Sequence, residues 1–208
     1  MLLVVGNKNY SSWSLRAWLA LKVLGIPFEE KYIPLYRADS KARILEHSPS
    51  GKVPCLVDGA TTVWDSLAIL EYLAERHPSL WPADRAERAK ARAVSAEMHS
   101  GFPNLRQHMS MNVRRRYPGK GRTPEVLEEI ARIEAIWAAA RTPFLFGAFT
   151  AADAMYAPVV LRFRTYAVEL RGAARSYYDA VLALPAMQEW IDAAGREAEA
   201  IAKFDQYE

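Results

Sequence analysis

A proline-bounded break, Pro78-Ser79-Leu80-Trp81-Pro82-Ala83-Asp84, constrains this chain more than any other feature, because the hydrophobic rhythm differs on its two sides. Before it, short apolar runs alternate with helical ones. Leu2 to Val5 reads as a buried strand ending in the turn cluster Gly6-Asn7-Lys8-Asn9. Ser11, Ser12 and Ser14 then offer N-caps to a helix carrying Leu15, Trp18, Leu19 and Val23, which Gly25 and Pro27 stop. Phe28 to Ile33 predicts a second strand, residues 39–47 a short helix, and Val53 to Trp64, turning at Asp58-Gly59, a hairpin. Asp65 and Ser66 cap a further helix with Leu67, Leu70, Leu73 and Ala74 on its apolar face. After the break every run is helical: Arg85 to about Val113, then 124–140, 151–171, 175–184 and 186–202.

The expected architecture is therefore α/β plus all-α. A thioredoxin-like βαβ-α-ββα domain occupies residues 1–77, a linker 78–84, and an all-helical domain 85–208. A composition of 51% hydrophobic and 25% charged residues suits packed cores rather than disorder. The single cysteine, Cys55, excludes an intramolecular disulfide, a CxxC redox pair and a zinc site built on two cysteines of one chain. No stretch approaches the ~18–20 apolar residues of a membrane span, so a cytoplasmic protein with no membrane partner is expected. His47, His77, His99 and His108 show no i, i+4 pairing, and no metal is expected.

The net charge is only +3, yet residues 82–122 hold 10 basic and 3 acidic residues. Its Arg114 to Arg122 run is expected to be a solvated helix end rather than a nucleic-acid site. The whole stretch suits a field that attracts small anions.

Four local features fall where a thioredoxin-like arrangement builds a site, and each has a second, purely structural explanation. In Tyr10-Ser11-Ser12-Trp13-Ser14, a serine either caps the helix or offers its hydroxyl to an anion at the positive helix end. In Lys52-Val53-Pro54, proline sits where a ladder donor is expected. Either it is an ordinary trans proline, or a cis bond frees the Val53 backbone to pair with an extended ligand. Asp65-Ser66 either caps its helix or holds the two charged ends of an amino acid. Thr150 and Asp153 are spaced as a capping box, and folding is their expected role.

The turn YSSWSLRAW, the strand KVPCLVDG, the helix start WDSLAILEYL, the linker and the TAAD box together resemble the glutathione transferase superfamily over nearly the whole chain. The serine turn is most similar to the serine-type cytosolic classes, zeta and tau, and to their bacterial members. The resemblance implies glutathione as co-substrate, with Ser11 as the catalytic serine and Ser12 its neighbour and understudy. Lys52, Val53, Pro54, Asp65 and Ser66 would bind glutathione. Tyr10, Trp13, Phe102, Arg106 and Met109 would line the pocket for a hydrophobic electrophile, with Leu105 and Met111 nearby and Arg106 and Arg114 meeting an anionic group.

Transfer of the glutathione thiol to that electrophile, in detoxification, is the implied reaction. A maleylacetoacetate-like cis-trans isomerase is the alternative, and a non-catalytic binding or interaction protein a further one. The resemblance also implies a homodimer. Trp13 stands where relatives often carry Cys or Pro, and isomerases of this kind usually read SSCS at the turn, so SSWS sets this chain apart.

Overall fold

The computed structural model describes residues 1–207. The first domain contains β1 (Leu2–Val5), α1 (Ser12–Val23), β2 (Glu29–Tyr32), α2 (Ser40–Leu45), β3 (Cys55–Asp58), β4 (Thr61–Trp64) and α3 (Ser66–Arg76). The sheet order is β2-β1-β3-β4. β1 runs parallel to β2, with Leu3 opposite Glu30, and antiparallel to β3, with Leu3 opposite Leu56; β4 closes the hairpin. This is the βαβ-α-ββα order expected above. A 3₁₀ turn, Pro78–Leu80, sits inside the linker and buries Leu80 and Trp81.

The second domain contains α4 (Arg85–Ser100), α5 (Pro103–His108), α6 (Pro124–Ala138), α7 (Ala151–Tyr166), α8 (Gly172–Leu182) and α9 (Pro185–Arg196). Three sequence expectations need correction. The long helix to Val113 breaks at Gly101-Phe102-Pro103, where a Cβ on Gly101 would lie 2.7 Å from the Glu97 carbonyl and Phe102 takes a left-handed φ of 59°. α7 stops at Tyr166 rather than 171, on a left-handed Ala167. The last helix stops at Arg196, and residues 197–207 form an irregular strap across the first domain.

The basic stretch is likewise not a helix end. Arg88, Arg106, Arg114, Arg116 and Arg122 each donate to main-chain carbonyls, and Arg92 pairs with Glu71, so these cations organise the fold between helices. Among the described residues no helix is long and apolar enough to cross a membrane.

α7 is buried along nearly its whole length and forms the axis of the second domain, packing against α1, α4 and α8. Trp137, Tyr156, Phe163 and Tyr177 gather their rings around it with centroids 5.0 to 6.3 Å apart. The box at its start forms as expected. The Thr150 N–H and hydroxyl donate to one Asp153 oxygen at 2.7 and 2.9 Å, and the Leu145 N–H donates to the other at 3.0 Å. Burial pushes the Asp153 carboxyl up to about 6 in spite of those donors.

Because the folded pKa exceeds the unfolded one, Asp153 stabilises most when protonated. Its contribution is complete below about pH 4 and is lost as pH rises through about 6, a change of up to about 3 kcal/mol. Denaturant titrations of wild type and Asp153→Asn between pH 4 and 7 are expected to diverge by that trend, the wild type losing stability relative to the variant. Parallel curves would refute it.

Candidate functional site

The site forms at the positive end of α1, where the first domain meets α5 and α7. The turn before α1 is held by backbone bonds from the Tyr10 and Ser11 N–H groups to the Asn7 carbonyl. Ser11 is the N-cap: its Oγ accepts from the Ser14 N–H at 3.3 Å and donates to Ser14 Oγ at 2.8 Å. Ser14 Oγ in turn accepts from the Gly6 N–H. The hydroxyl assigned the catalytic role from sequence is therefore engaged in the helix start. Ser12, the understudy, has its Oγ instead 3.4 Å from a guanidinium nitrogen of Arg162, which donates to it.

Arg162 belongs to a cluster that sequence reading missed. Arg16 and Arg162 are almost wholly buried, and Arg106 of α5 is largely so. Arg16 and Arg106 pack over the Trp13 ring with guanidinium carbons 4.3 and 5.0 Å from its centroid, and His99 meets the ring edge-on. Burial, then mutual repulsion, lowers the Arg16 guanidinium well below its usual value and holds Arg162 at about 9. Asp65 and Glu129 are the carboxylates felt by Arg16 and Arg106, so three cations share little compensating charge. A buried cation is expensive without a partner. The signal was present in the sequence as single arginines inside the apolar runs Leu15 to Leu19 and Val159 to Phe163.

On the sheet side, the Val53–Pro54 peptide bond is cis. The ladder starts at Cys55, which leaves Val53 outside it, with Lys52 exposed alongside. Asp65 caps α3 from a left-handed φ of 74°, accepting from the Leu67 N–H at 2.9 Å, a backbone state that L-residues rarely adopt and that concentrates at ligand sites. Its other oxygen lies 3.3 Å from His99 Nε2. Ser66 is fully buried, its Oγ 3.4 Å from Arg16 Nη1, while Arg16 Nε has no protein acceptor. An orphaned cationic donor next to Ser66 suits a carboxylate such as glutathione carries. Among the described residues no group of acidic, His or Cys side chains is placed to hold a metal ion.

The pocket expected from sequence is only partly assembled. Trp13 and Arg106 come together. Phe102 and Met109, like Leu105 and Met111, are core residues. Tyr10 faces away into the strap, its ring 5.6 Å from Phe204 and its hydroxyl donating to Asp205 at 2.9 Å. Arg114 is engaged by strap carbonyls. These placements share one reason: an apolar or basic helical position looks alike from sequence whether it meets a cleft or another segment.

The glutathione S-transferase N-terminal domain model matches residues 10–76 and the C-terminal domain model matches residues 121–193. The chain belongs to the glutathione S-transferase family. A probable maleylacetoacetate isomerase of Caenorhabditis elegans is 39% identical over 100 residues, 47% of this chain and 46% of that protein, so the chain spans about half the length of that curated relative. A stringent starvation protein A homologue of Haemophilus ducreyi is 27% identical over 83% of this chain and 79% of its own. Among solved structures, a glutathione transferase homologue from Burkholderia with bound glutathione superimposes with a TM-score of 0.69 at 26% identity, covering 93% of this chain and 96% of that one.

Proposed function

We propose that this chain is a glutathione-dependent enzyme in which Ser12, rather than Ser11, donates to the sulfur. The observation that carries the reading is the Ser12 hydroxyl, uncommitted to capping and receiving a hydrogen bond from a buried arginine at the start of a helix. A thiol of pKa ~8.5 is only a few per cent ionised at neutral pH. Bound glutathione supplies the thiolate nucleophile. The Arg162 N–H polarises the Ser12 oxygen, the Ser12 O–H is left to donate, and the α1 N-terminus adds its positive end. Lowering a thiol pKa by two units takes roughly 2.7 kcal/mol, within reach of one charge-assisted hydrogen bond and a helix end. Val53 would pair its backbone with the tripeptide, Lys52 would meet its glycine carboxylate, and Asp65 with Ser66 and Arg16 would hold the γ-glutamyl end.

The first reading is conjugation to an electrophile, by a cytoplasmic homodimer. The buried Arg16, Arg106 and Arg162 favour a second: an acidic unsaturated substrate isomerised about its double bond, as the name of the nematode relative suggests. The deciding experiment runs both reactions on the purified chain, conjugation of an activated aryl halide and isomerisation of a cis-unsaturated diketo acid, after retention on immobilised glutathione. Turnover in the first supports the transferase, and turnover confined to the second supports the isomerase. Retention without either identifies a binding protein. No retention and no turnover refutes the glutathione reading.

A further inference from the structure

The turn that carries Ser11 and Ser12 is held from the far end of the chain. The Glu197 carboxylate, at the start of the strap, accepts from the Lys8 N–H at 2.5 Å and the Asn9 N–H at 3.0 Å. The Lys8 carbonyl accepts from the Trp190 indole N–H of α9 at 2.9 Å, so residue 8 is gripped on both sides. Arg114 donates to the carbonyls of Glu197 and Glu199, locking the strap's own backbone, and its N–H donates to the Asn9 side chain. Beyond these, Asp205 accepts from both the Tyr10 hydroxyl and the Asn112 amide. Asn9 is fully buried, so its N–H has no water to fall back on if the carboxylate leaves.

From this network we infer that Glu197 is a positioning residue for the thiol site, the strap acting as a clamp that sets where the serine turn stands. The inference rests on the glutathione reading above. Two buried N–H groups converging on one carboxylate fix the turn three residues before Ser12. A displacement of about 1 Å at a reacting centre costs on the order of 100-fold in rate. Glutathione's own binding contacts lie on other elements, at Lys52, Val53, Asp65 and Ser66, and do not depend on the clamp.

Glu197→Gln keeps size and one acceptor oxygen but cannot accept at both positions without opposing an amide donor. In this variant, hydrogen exchange at the Lys8 and Asn9 amides is expected to quicken at least tenfold. The kcat/KM for conjugation is expected to fall roughly 10- to 100-fold, with the inflection of its pH profile moving upward and KM for glutathione changing less than threefold. Arg114→Met, which loosens the strap without touching the carboxylate, is expected to move the same readouts less, and serves if Glu197→Gln does not fold. Unchanged exchange overturns the clamp. Faster exchange with an unmoved pH profile overturns the positioning role. A wild-type chain inert toward glutathione sinks the functional reading and the positioning role with it, while exchange still decides the clamp.

Discussion

Ser12→Ala is expected to lower kcat/KM for glutathione conjugation about 100-fold, the loss of one charge-assisted hydrogen bond of ~1.5–3 kcal/mol to the thiolate. The pH profile inflection is expected to rise by about one to two units, since each unit is 1.36 kcal/mol, while glutathione affinity stays close to wild type and stability falls by about 1–3 kcal/mol because the buried Arg162 loses an acceptor. Ser11→Ala is expected to behave differently. It removes the α1 N-cap, costing about 1 kcal/mol of stability, and its activity loss should be the smaller one. Measuring both variants side by side separates the roles, and a Ser11→Ala loss exceeding that of Ser12→Ala would return the catalytic assignment to Ser11.

Arg162→Met is expected to have the second large effect, and one that depends on the substrate. For a neutral aryl halide the loss is confined to weaker polarisation of Ser12, roughly tenfold. For a substrate bearing a carboxylate it is expected to exceed roughly 100-fold, because a charge-assisted contact worth ~1.5–3 kcal/mol is lost as well. Stability should move the other way. Arg162 is a desolvated cation hydrogen-bonded to a carbonyl and a hydroxyl, and an apolar side chain of similar length removes that desolvation cost. The variant is expected to be between neutral and about 2 kcal/mol more stable. Equal losses on both substrates, or a marked fall in melting temperature, would show that the arginine serves packing instead.

The sheet and its helices were legible because their signals are local. Asp58-Gly59 marks the hairpin, and Asp65 and Thr150 mark helix starts; each became what its chemistry suggested. Val53, Pro54, Asp65 and Ser66, which we propose meet glutathione, stood out for the same reason, since proline and capping residues are conspicuous in strands and at helix starts. The second half of the site was hidden. Arg16 and Arg162 lie 146 positions apart and meet only because α1 packs on α7. Tyr10 looked like a pocket residue because nothing near it in sequence reveals that Phe204 and Asp205 return to cover it. The choice between Ser11 and Ser12 turned on which hydroxyl the helix start used, a matter of side-chain geometry that two adjacent serines do not encode.

α1 belongs to the first domain by sequence, yet its buried face is completed by α7 of the second. A cut within residues 78–84 would leave each half with an unmatched apolar wall, Arg106 stripped of Trp13 and the buried Arg162 of Ser12. The two family modules are therefore halves of one cooperative unit, expected to melt together in a single transition. Exchanging one module for that of a relative would have to carry the facing surface across with it. The division of labour between the halves is chemical, whereas their stability is held in common.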